Sequence, residues 1–462
     1  MYYFIKIILI FFTLTFFSKD KSLKNDKPNF IIYLSDDQDV LDYNIFGNEN
    51  VQSIGVNKLA KEGITFTNFH TGQAICAPSR SQLYTGLYPL KNGSYANHTH
   101  VRSNTLTVVQ RLKEIGYEVV LAGKGHVGPS NIFDWDLFIQ KVENKKLDIK
   151  KIDKYLKNVE RPFCLILASD YPHGPHPSKS QYKVSDIKKH PYDFNINPKK
   201  TGYYEFIKND DNQLSNILNI VEKNGMTDNS VFIYAADHGY SGKYSLYQKG
   251  IKIPLIMRWP NKIKPGSKSN SLLTIVDVLP TMIEIAGGTI YDFDGKSFLP
   301  ILENKKNEVN EYIYGVATRQ NVQSTFVFPS RMVSNGKFKL IRNYNSYEVY
   351  SENLTKNNAI NHFIEIGAKK FKRIPFEELY NLEKDPYEKN NLAKNKEYMD
   401  IKNALLVKLD DWMADQNDFI GVGKMPLIKP TLHHLDENSK WKTVDDSFVG
   451  KLKSSDYMIT HY

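Results

Sequence analysis

Cysteine is scarce in this chain, which has two among 462 residues, Cys76 and Cys164. Two cysteines this far apart exclude a disulfide framework as the basis of the fold. Cys164 lies within the apolar run FCLILA and is expected to be a small buried hydrophobe. Cys76 precedes Ala-Pro-Ser-Arg in a polar turn, where we expect an exposed thiol. Such a thiol is reactive, so Cys76 needs a functional explanation.

Long apolar runs are also absent, with one short exception near the N-terminus. The run from Ile7 to Phe17 follows Lys6 and is too short to span a bilayer, but it has the length of a signal-peptide core. We therefore predict a signal peptide at residues 1–22. The protein is expected to be secreted or periplasmic, or to lie in a lysosome-like compartment if eukaryotic. The mature chain is expected to have no stable membrane span.

Acidic residues are outnumbered by basic ones. The chain has 61 Lys and Arg against 51 Asp and Glu, a net charge of +10. This excess fits either a lysine-rich composition or attraction to an anionic partner such as a polyanionic glycan. Because the basic residues are spread along the chain and no nucleic-acid-binding motif is recognisable, we expect no nucleic-acid partner.

Four short apolar runs predict buried strands. They do not alternate with polar residues, which is typical of a sheet covered on both faces. They are Phe30–Leu34, Glu118–Ala122, Phe163–Ala168 and Val231–Ala235. Helical patterns lie between them, one with Leu106 as its first apolar residue and a stop at Gly116, another ending at Gly225. The alternation of strands and helices predicts an α/β fold.

The character of the sequence changes after Asn310. Asn335-Gly336 is a strong hairpin signal between two predicted strands, and a helix is predicted from Tyr398 to Met413. We therefore divide the mature chain into a large α/β domain, a smaller α+β domain with an antiparallel sheet, and a tail, at residues 23–310, 311–430 and 431–462.

Polar side chains follow all four predicted strands. They are Asp36 and Asp37, then Lys124 and His126, then His173 and His176, and finally Asp237 and His238. Because sites in open α/β sheets form beyond the carboxyl ends of the strands, we expect these groups to lie close together. The three carboxylates suit Ca²⁺ or Mg²⁺ rather than Zn²⁺, and His238 is either a nitrogen ligand or a hydrogen-bond donor beside the metal.

Cations and histidines complete this predicted site. Arg80, Lys124 and Lys243 would place positive charge around an anion, while His126 and His173 would move protons. A metal ion, three cations and two histidines together predict a site that cleaves an anionic ester.

The segment CAPSRSQLYTG resembles the type I sulfatase signature C-x-P-S-R, followed by a short helix and Thr-Gly. Further segments resemble the same family in the same order, over about residues 28 to 395: PNFIIYLSDDQ, KLAKEGITFTNFHT, LAGKGHVGP, YPHGPH, FIYAADHG, GIKIPLIMRWP, VDVLPTMIEIAGG, DGKSFLP and LYNLEKDPYEKNNLA. GKGHVGP and YPHGPH resemble the heparan N-sulfatase (N-sulfoglucosamine sulfohydrolase) branch. The resemblance implies an alkaline-phosphatase-like fold, with helices on both faces of a large sheet and a smaller C-terminal α+β domain.

In that family the signature cysteine is oxidised to Cα-formylglycine. The resemblance implies that a formylglycine-generating enzyme or an anaerobic sulfatase-maturating enzyme modifies Cys76. One hydroxyl of the hydrated aldehyde then attacks sulfur, and the second expels sulfate. The resemblance also implies a metal ion, Ca²⁺ in preference to Mg²⁺, bound by Asp36, Asp37, Cys76, Asp237 and His238. The last position is more often asparagine in the family.

The same resemblance implies roles for the remaining residues. Arg80 would stabilise the hydrated aldehyde, and Lys124, with His126 beside it, would contact both the aldehyde and the sulfate. His173 would protonate the leaving group, since it directly follows the strand-end Tyr-Pro, whereas His176 would line the entrance. Lys243 would bind sulfate, in preference to its neighbours Lys249 and Lys252. Lys124, His173, His176 and Lys243 are thus the expected substrate-binding residues.

Several alternatives remain open from sequence alone. The substrate would be a sulfated saccharide, with either O-sulfate esters or N-sulfamate groups. A phosphodiesterase or phosphonate hydrolase of the same fold, and a non-catalytic protein that binds sulfated glycans, are the other candidate functions. His98 and His100 either face the substrate or belong to a surface loop, and His70 is expected to be structural.

Overall fold

The computed structural model describes residues 27–143, 145–189, 191, 199–319, 327–353, 361–422, 424–426, 442–443 and 457–459. The predicted signal peptide at 1–22 and most of the predicted tail at 431–462 lie outside these residues. Across the ranges just given, no helix is both long enough and apolar enough to cross a bilayer.

The strands and helices follow the predicted α/β order. The strands are β1 (Asn29–Ser35), β2 (Ile64–His70), β3 (Thr99–His100), β4 (Glu118–Gly123), β5 (Leu137–Ile139), β6 (Phe163–Ala168), β7 (Ser230–Ala236), β8 (Lys252–Arg258), β9 (Ser267–Ser269), β10 (Leu273–Thr274), β11 (Ile313–Ala317), β12 (Ser330–Ser334), β13 (Phe338–Asn343), β14 (Glu377–Asn381), β15 (Lys424–Pro426), β16 (Lys442–Thr443) and β17 (Tyr457–Ile459). The α-helices are α1 (Ile54–Glu62), α2 (Cys76–Thr85), α3 (Pro89–Asn92), α4 (Val108–Glu114), α5 (Ile149–Asn158), α6 (Lys199–Lys223), α7 (Gln248–Ile251), α8 (Val278–Ile285), α9 (Leu299–Leu302), α10 (Tyr347–Asn353), α11 (Asn361–Lys370) and α12 (Met399–Asp415).

The large sheet has nine strands in the spatial order β10-β2-β8-β7-β1-β6-β4-β5, with β9 also paired to β2. Strands β7, β1, β6, β4 and β5 are parallel, while β8 is antiparallel to both β7 and β2. The four strands predicted from the apolar runs are therefore consecutive neighbours. Because they are parallel, their carboxyl ends meet at one edge of the sheet, as expected.

Both faces of this sheet are buried, which explains why the apolar runs do not alternate. Phe30 and Ile32 of β1 face a core formed with helices α2, α4 and α8. Ile31 and Tyr33 face a second core formed with α1, α5 and α6. The two cores confirm the predicted sheet with helices on both faces.

Helix α4 begins later than its apolar spacing predicts. Thr107 is the N-cap, because its side chain accepts a hydrogen bond from the Val109 N–H and the Gln110 side chain accepts one from the Thr107 N–H. Leu106 therefore lies outside the helix and is 39 % exposed. The capping box overrides the apolar pattern at this end of the helix.

The C-terminal part forms a separate four-stranded antiparallel sheet in the order β11-β12-β13-β14, with α12 packed on it. Strands β12 and β13 form the hairpin predicted at Asn335-Gly336, and Gly336 has the positive φ of 84° that such turns favour. Arg331 of β12 is fully buried and pairs with Asp418 beyond α12, which joins the sheet to that helical layer.

The small sheet also holds a loop of the large domain. Lys339 of β13 donates to the Leu246 carbonyl at 2.8 Å, and the Tyr247 hydroxyl donates to Glu378 of β14 at 2.8 Å. These two hydrogen bonds fix the segment between β7 and β8 to the small sheet. This segment includes Lys243, one of the predicted site residues.

Candidate active site

The strand ends converge on Cys76, the first residue of α2. Its sulfur lies 3.3 Å from His238 Nε2, 3.7 Å from Asp36 Oδ1 and 4.0 Å from Asp37 Oδ1. The expectation of an exposed thiol is wrong, because Cys76 is only 1 % exposed. The polar turn is covered on all sides, and every residue of α2 is buried. Cys76 therefore lies at the base of a cleft and not on an open surface.

The three predicted carboxylates surround this sulfur. His238 Nε2 donates to Asp37 Oδ1 at 2.9 Å and lies 3.9 Å from Asp237 Oδ1. The same Asp237 oxygen accepts from the backbone N–H groups of Asp37 and His238 at 3.0 and 2.8 Å, which fixes its orientation. All three carboxylates are buried, so they need compensating positive charge.

The donor set fits a hard dication. One ligand atom from each of Asp36, Cys76, Asp237 and His238 lies within 4.8 Å of the others. A second such group contains Asp36, Asp37 and His173. Carboxylate oxygens are the ligands that Ca²⁺ and Mg²⁺ prefer, and the oxygens from three strand-end aspartates are available here.

Three cations face these acids. Arg80 is fully buried on α2, and its Nε donates to Asp237 Oδ2 at 3.1 Å. Lys124 follows β4 and pairs with Asp36. Lys243 donates to Asp37 Oδ2 at 2.8 Å. The structure thus brings together the arginine and both lysines predicted for anion binding.

These cations decide which carboxylates are ionised. Burial alone would raise the pKa of Asp36, but the Lys124 and Arg80 charges outweigh it and hold that pKa well below its usual range. Burial is likewise outweighed at Asp37, where His238 and Lys243 lower the pKa. At Asp237, burial and the Asp36 charge raise the pKa. Asp36 and Asp37 are therefore firmly anionic.

The four histidines near the cleft have different surroundings. His173 is one-third exposed, with Nε2 3.7 Å from Asp37 Oδ2. His126 packs against His98, and burial together with the Lys124 charge lowers the pKa of His126, which keeps it neutral. His176, expected to line the entrance, donates from Nε2 to the Pro172 carbonyl and packs among aromatic rings.

The cleft above Cys76 has a volume of about 850 Å³. Among its lining residues outside the quoted motifs, several were not predicted as site residues: Asn97, Glu143, Lys145, Asp170, Phe206 and Tyr244. Asp170 was detectable, because it follows β6 as the predicted acids follow their strands. The others lie on loops or on α6, without a local motif. His98 also lines the cleft.

His70 and His100 have structural surroundings. His100 lies beneath Gly128, where an added Cβ would come within 2.5 Å of its Nε2. His70 is buried against Gln248, and burial lowers its pKa to about 3, so it stays neutral. The expectation that His70 is structural agrees with this environment.

Strained backbone conformations cluster around the cleft. Asp37, His98, His126 and Tyr244 have φ angles of 61°, 62°, 52° and 67°. Each is a non-glycine residue in the left-handed region, at a cost of roughly 1–3 kcal/mol. Such conformations persist where the surroundings impose them, and here they direct side chains toward Cys76 and the cleft.

A buried carboxyl beneath the strand ends makes stability depend on pH. Asp210 of α6 accepts from the Tyr33 hydroxyl at 2.7 Å and from the Ser169 hydroxyl at 2.6 Å. Burial raises the pKa of Asp210 to about 7, against 3.8 for an ordinary Asp. Between these values the folded state holds a proton that the unfolded state releases. Stability therefore falls as pH rises through this window.

Asp210→Asn keeps an acceptor oxygen and removes the ionisation. Relative to the unmodified protein, its free energy of unfolding is expected to rise by up to about 1.4 kcal/mol per pH unit between roughly pH 4 and 7. Urea unfolding at several pH values measures this. Asp228→Asn, at an exposed position, is the control. A difference between Asp210→Asn and the unmodified protein that does not change with pH would contradict the assignment.

The geometry agrees with comparisons to known proteins. The sulfatase family model matches residues 28–288. The chain belongs to the sulfatase family. A second model, the C-terminal domain of N-sulphoglucosamine sulphohydrolase, matches residues 236–359 of this sulfatase. The family identifies the protein as a sulfuric ester hydrolase and confirms the resemblance drawn from its motifs.

Individual relatives extend over most of the sulfatase. An ulvan-active sulfatase of Formosa agariphila is 47 % identical, over 95 % of this chain and 91 % of the relative. A protein solved with its substrate D-glucosamine-2-N,6-O-disulfate has a TM-score of 0.66 at 20 % identity, covering 85 % of this chain and 98 % of that one. The phosphonate monoester hydrolase of Agrobacterium radiobacter has a TM-score of 0.67 at 17 % identity, covering 87 % and 99 %. These two structures show the alkaline-phosphatase-like fold.

Proposed function

We propose that this sulfatase hydrolyses sulfate esters of a polysaccharide, using a Cα-formylglycine made from Cys76. The observation that supports this is the position of the Cys76 sulfur, 3.3–4.0 Å from His238, Asp36 and Asp37 at the base of a cleft. An oxygen nucleophile at that position would be adjacent both to a metal site and to the cations that bind sulfate.

The burial of Cys76 constrains when the modification occurs. A maturating enzyme needs access to the side chain, yet the folded protein leaves Cys76 only 1 % exposed. We therefore infer that a formylglycine-generating enzyme or an anaerobic sulfatase-maturating enzyme acts before folding is complete. Hydration of the aldehyde would supply the attacking hydroxyl and a second hydroxyl through which sulfate is released.

Asp36, Asp37, Asp237 and His238 would hold the metal ion, together with the modified residue 76. We propose Ca²⁺ in preference to Mg²⁺, because the site is rich in carboxylates and Ca²⁺ accepts a larger, less regular ligand set. A bound dication supplies Lewis-acid polarisation of the nucleophile and the sulfate. His238 would bind it through Nε2, because its Nδ1 donates to the Gly239 carbonyl.

The chain's own cations would bind the sulfate. Lys124 and Lys243 line the cleft together with Cys76, and the buried Arg80 pairs with the carboxylates of Asp36 and Asp237. Their positive charge stabilises the charge that develops on the sulfate oxygens. His126, held neutral beside Lys124, would contribute a hydrogen bond and no charge.

His173 would protonate the leaving oxygen. Its Nδ1 donates to the Gly174 carbonyl at 2.7 Å, so Nε2 is the atom presented to the cleft. A general acid at this position is needed because a sugar alkoxide is a poor leaving group.

The substrate class is inferred from charge and from a relative. The net charge of +10 favours a polyanionic partner, and the 47 % identical relative is named for its activity on ulvan. We propose ulvan, or a similarly sulfated polysaccharide, as the substrate, and O-sulfate rather than N-sulfamate as the group removed. The predicted signal peptide supports action outside the cell or in the periplasm.

The phosphonate monoester hydrolase neighbour makes phosphorus ester hydrolysis the second candidate function. Comparing 4-nitrophenyl sulfate with 4-nitrophenyl phenylphosphonate holds the leaving group constant. We expect kcat/KM to favour the sulfate by at least about 100-fold, a difference of roughly 2.7 kcal/mol in transition-state binding. A preference for the phosphonate would overturn the proposal. Sulfate release from ulvan and from N-sulfoglucosamine, which carries sulfate on nitrogen only, then separates O-sulfate from N-sulfamate substrates.

A further inference from the structure

Lys145 makes an unusual set of contacts at the side of the cleft. Its Nζ lies 2.9 Å from the His173 carbonyl oxygen, 3.3 Å from that of Gly174 and 3.5 Å from that of Asp170. The ammonium group also lies 5.4 Å from the centre of the Phe206 ring, on α6. Lys145 is far in sequence from the segment it contacts, and it bridges the 142–146 turn to the loop after β6.

These contacts use the whole donor capacity of the side chain. An ammonium group has three N–H donors and no acceptor, and three carbonyl oxygens surround this one. None of its donors is left for a sulfate or a sugar hydroxyl. Lys145 thus differs from Lys124 and Lys243 in its partners, which are backbone carbonyls, whereas those of Lys124 and Lys243 are carboxylates.

The contacts of Lys145 converge on the orientation of His173. The Gly174 carbonyl that accepts from Lys145 also accepts from His173 Nδ1, at 2.7 Å. Lys145 therefore holds both the backbone of His173 and the acceptor that orients its imidazole. With Nδ1 occupied, Nε2 is directed toward Asp37 and the cleft.

We propose that Lys145 is a positioning residue that keeps His173 Nε2 aligned with the leaving oxygen of the sulfate ester. This inference rests on the proposed function, in which His173 is the proton donor. Without Lys145, three carbonyl oxygens that point to one place would lose their shared donor, and the loop would relax. The imidazole would then lose its fixed orientation, while the sulfate-binding groups would stay in place.

The test compares two aryl sulfates on the matured, metal-loaded enzyme. Protonation matters little for 4-nitrophenyl sulfate, because 4-nitrophenoxide leaves readily, but it matters for phenyl sulfate, whose phenoxide is a much stronger base. We expect Lys145→Met to lower kcat for phenyl sulfate by about 10–100-fold, part of the usual contribution of a general acid. The kcat for 4-nitrophenyl sulfate should change by less than about threefold, and KM should stay constant for both.

Matched variants separate the effect of the Lys145 ammonium group from a general loss of positive charge on this turn. Lys145→Arg keeps a multiple donor and should retain most of the phenyl sulfate activity. Lys146→Met removes a neighbouring cation on the same turn that pairs with Glu143 and is the control for lost charge. In a His173→Ala background, Lys145→Met should cause no further loss on phenyl sulfate, because both changes remove the same proton transfer.

Three results would overturn the inference. Equal losses on both esters with a lowered melting temperature would show a merely structural role. A raised KM with unchanged kcat would show that Lys145 binds substrate. Additive losses in the His173→Ala background would show that the two residues act independently. If the unmodified enzyme releases sulfate neither from these esters nor from ulvan, the proposed function itself fails, which the Lys145 variants alone would not produce.

Discussion

Replacement of Cys76 by alanine is expected to abolish sulfate ester hydrolysis, lowering kcat by about 10⁴-fold or more, the scale on which loss of a covalent nucleophile acts. Alanine cannot be oxidised to formylglycine, so no nucleophile forms at this position. The cations and carboxylates around residue 76 remain, so affinity for a sulfated ligand should largely persist. Folding should also persist, because the change removes one sulfur atom and alanine is a good helix former.

Cys164→Ala is the matched control, since it removes the other cysteine. Cys164 lies on β6 with both neighbours in the core, and burial raises the pKa of its thiol well above the usual range, which leaves it inert. Kinetics with 4-nitrophenyl sulfate should therefore show near-normal turnover for Cys164→Ala. Peptide mass spectrometry on protein from its own host should find an aldehyde or its hydrate at residue 76. Full activity with an unmodified thiol there would contradict the formylglycine mechanism.

The arrangement of charged groups around Cys76 also distinguishes an enzyme from a protein that only binds sulfated glycans. A protein that only bound sulfated glycans would keep its whole function after Cys76→Ala. It would also have no need for three buried carboxylates, whose mutual repulsion is offset by the surrounding Arg80, Lys124, Lys243 and His238. That combination costs free energy in the folded state and is explained by chemistry at residue 76.

Much of this site could be predicted because strand ends are visible in sequence. Runs such as Phe163–Ala168 are apolar and short, and each is followed at once by polar residues. Parallel pairing of neighbouring strands then determines that those residues meet. Asp36 and Asp237 are 201 positions apart, yet both lie within 4.8 Å of the other ligand atoms of one group.

What sequence could not supply was burial and long-range contact. Cys76 is followed by Ala-Pro and then by the polar run Ser-Arg-Ser-Gln, so nothing local indicates that it is completely buried at the start of a helix. Lys145 has no motif, because its role depends on a turn that meets the loop after β6 only in the folded protein. The start of α4 is a different case, since Thr107 and Gln110 form a visible capping box that apolar spacing alone misses.

Removal of divalent metal is expected to lower kcat by about 10³-fold, since Lewis-acid stabilisation contributes several kcal/mol. We expect kcat to recover when the ion is added back, because the fold does not depend on the ion. Lys124 pairs with Asp36 and Lys243 with Asp37, so these carboxylates have cationic partners within the protein itself, and the fold should persist when the ion is removed.

Binding should be visible without any activity measurement. Ca²⁺ at 100 times its dissociation constant should stabilise the folded protein by about 2.7 kcal/mol, and the melting temperature should rise accordingly. Asp37→Asn removes one carboxylate charge without changing side-chain size, and it should weaken both the thermal shift and the Ca²⁺-dependent recovery of kcat. Mg²⁺ at equal concentration should give a smaller shift. If chelation changes neither the melting temperature nor kcat, the metal site is contradicted. Sulfate binding would then depend on Arg80, Lys124 and Lys243 alone.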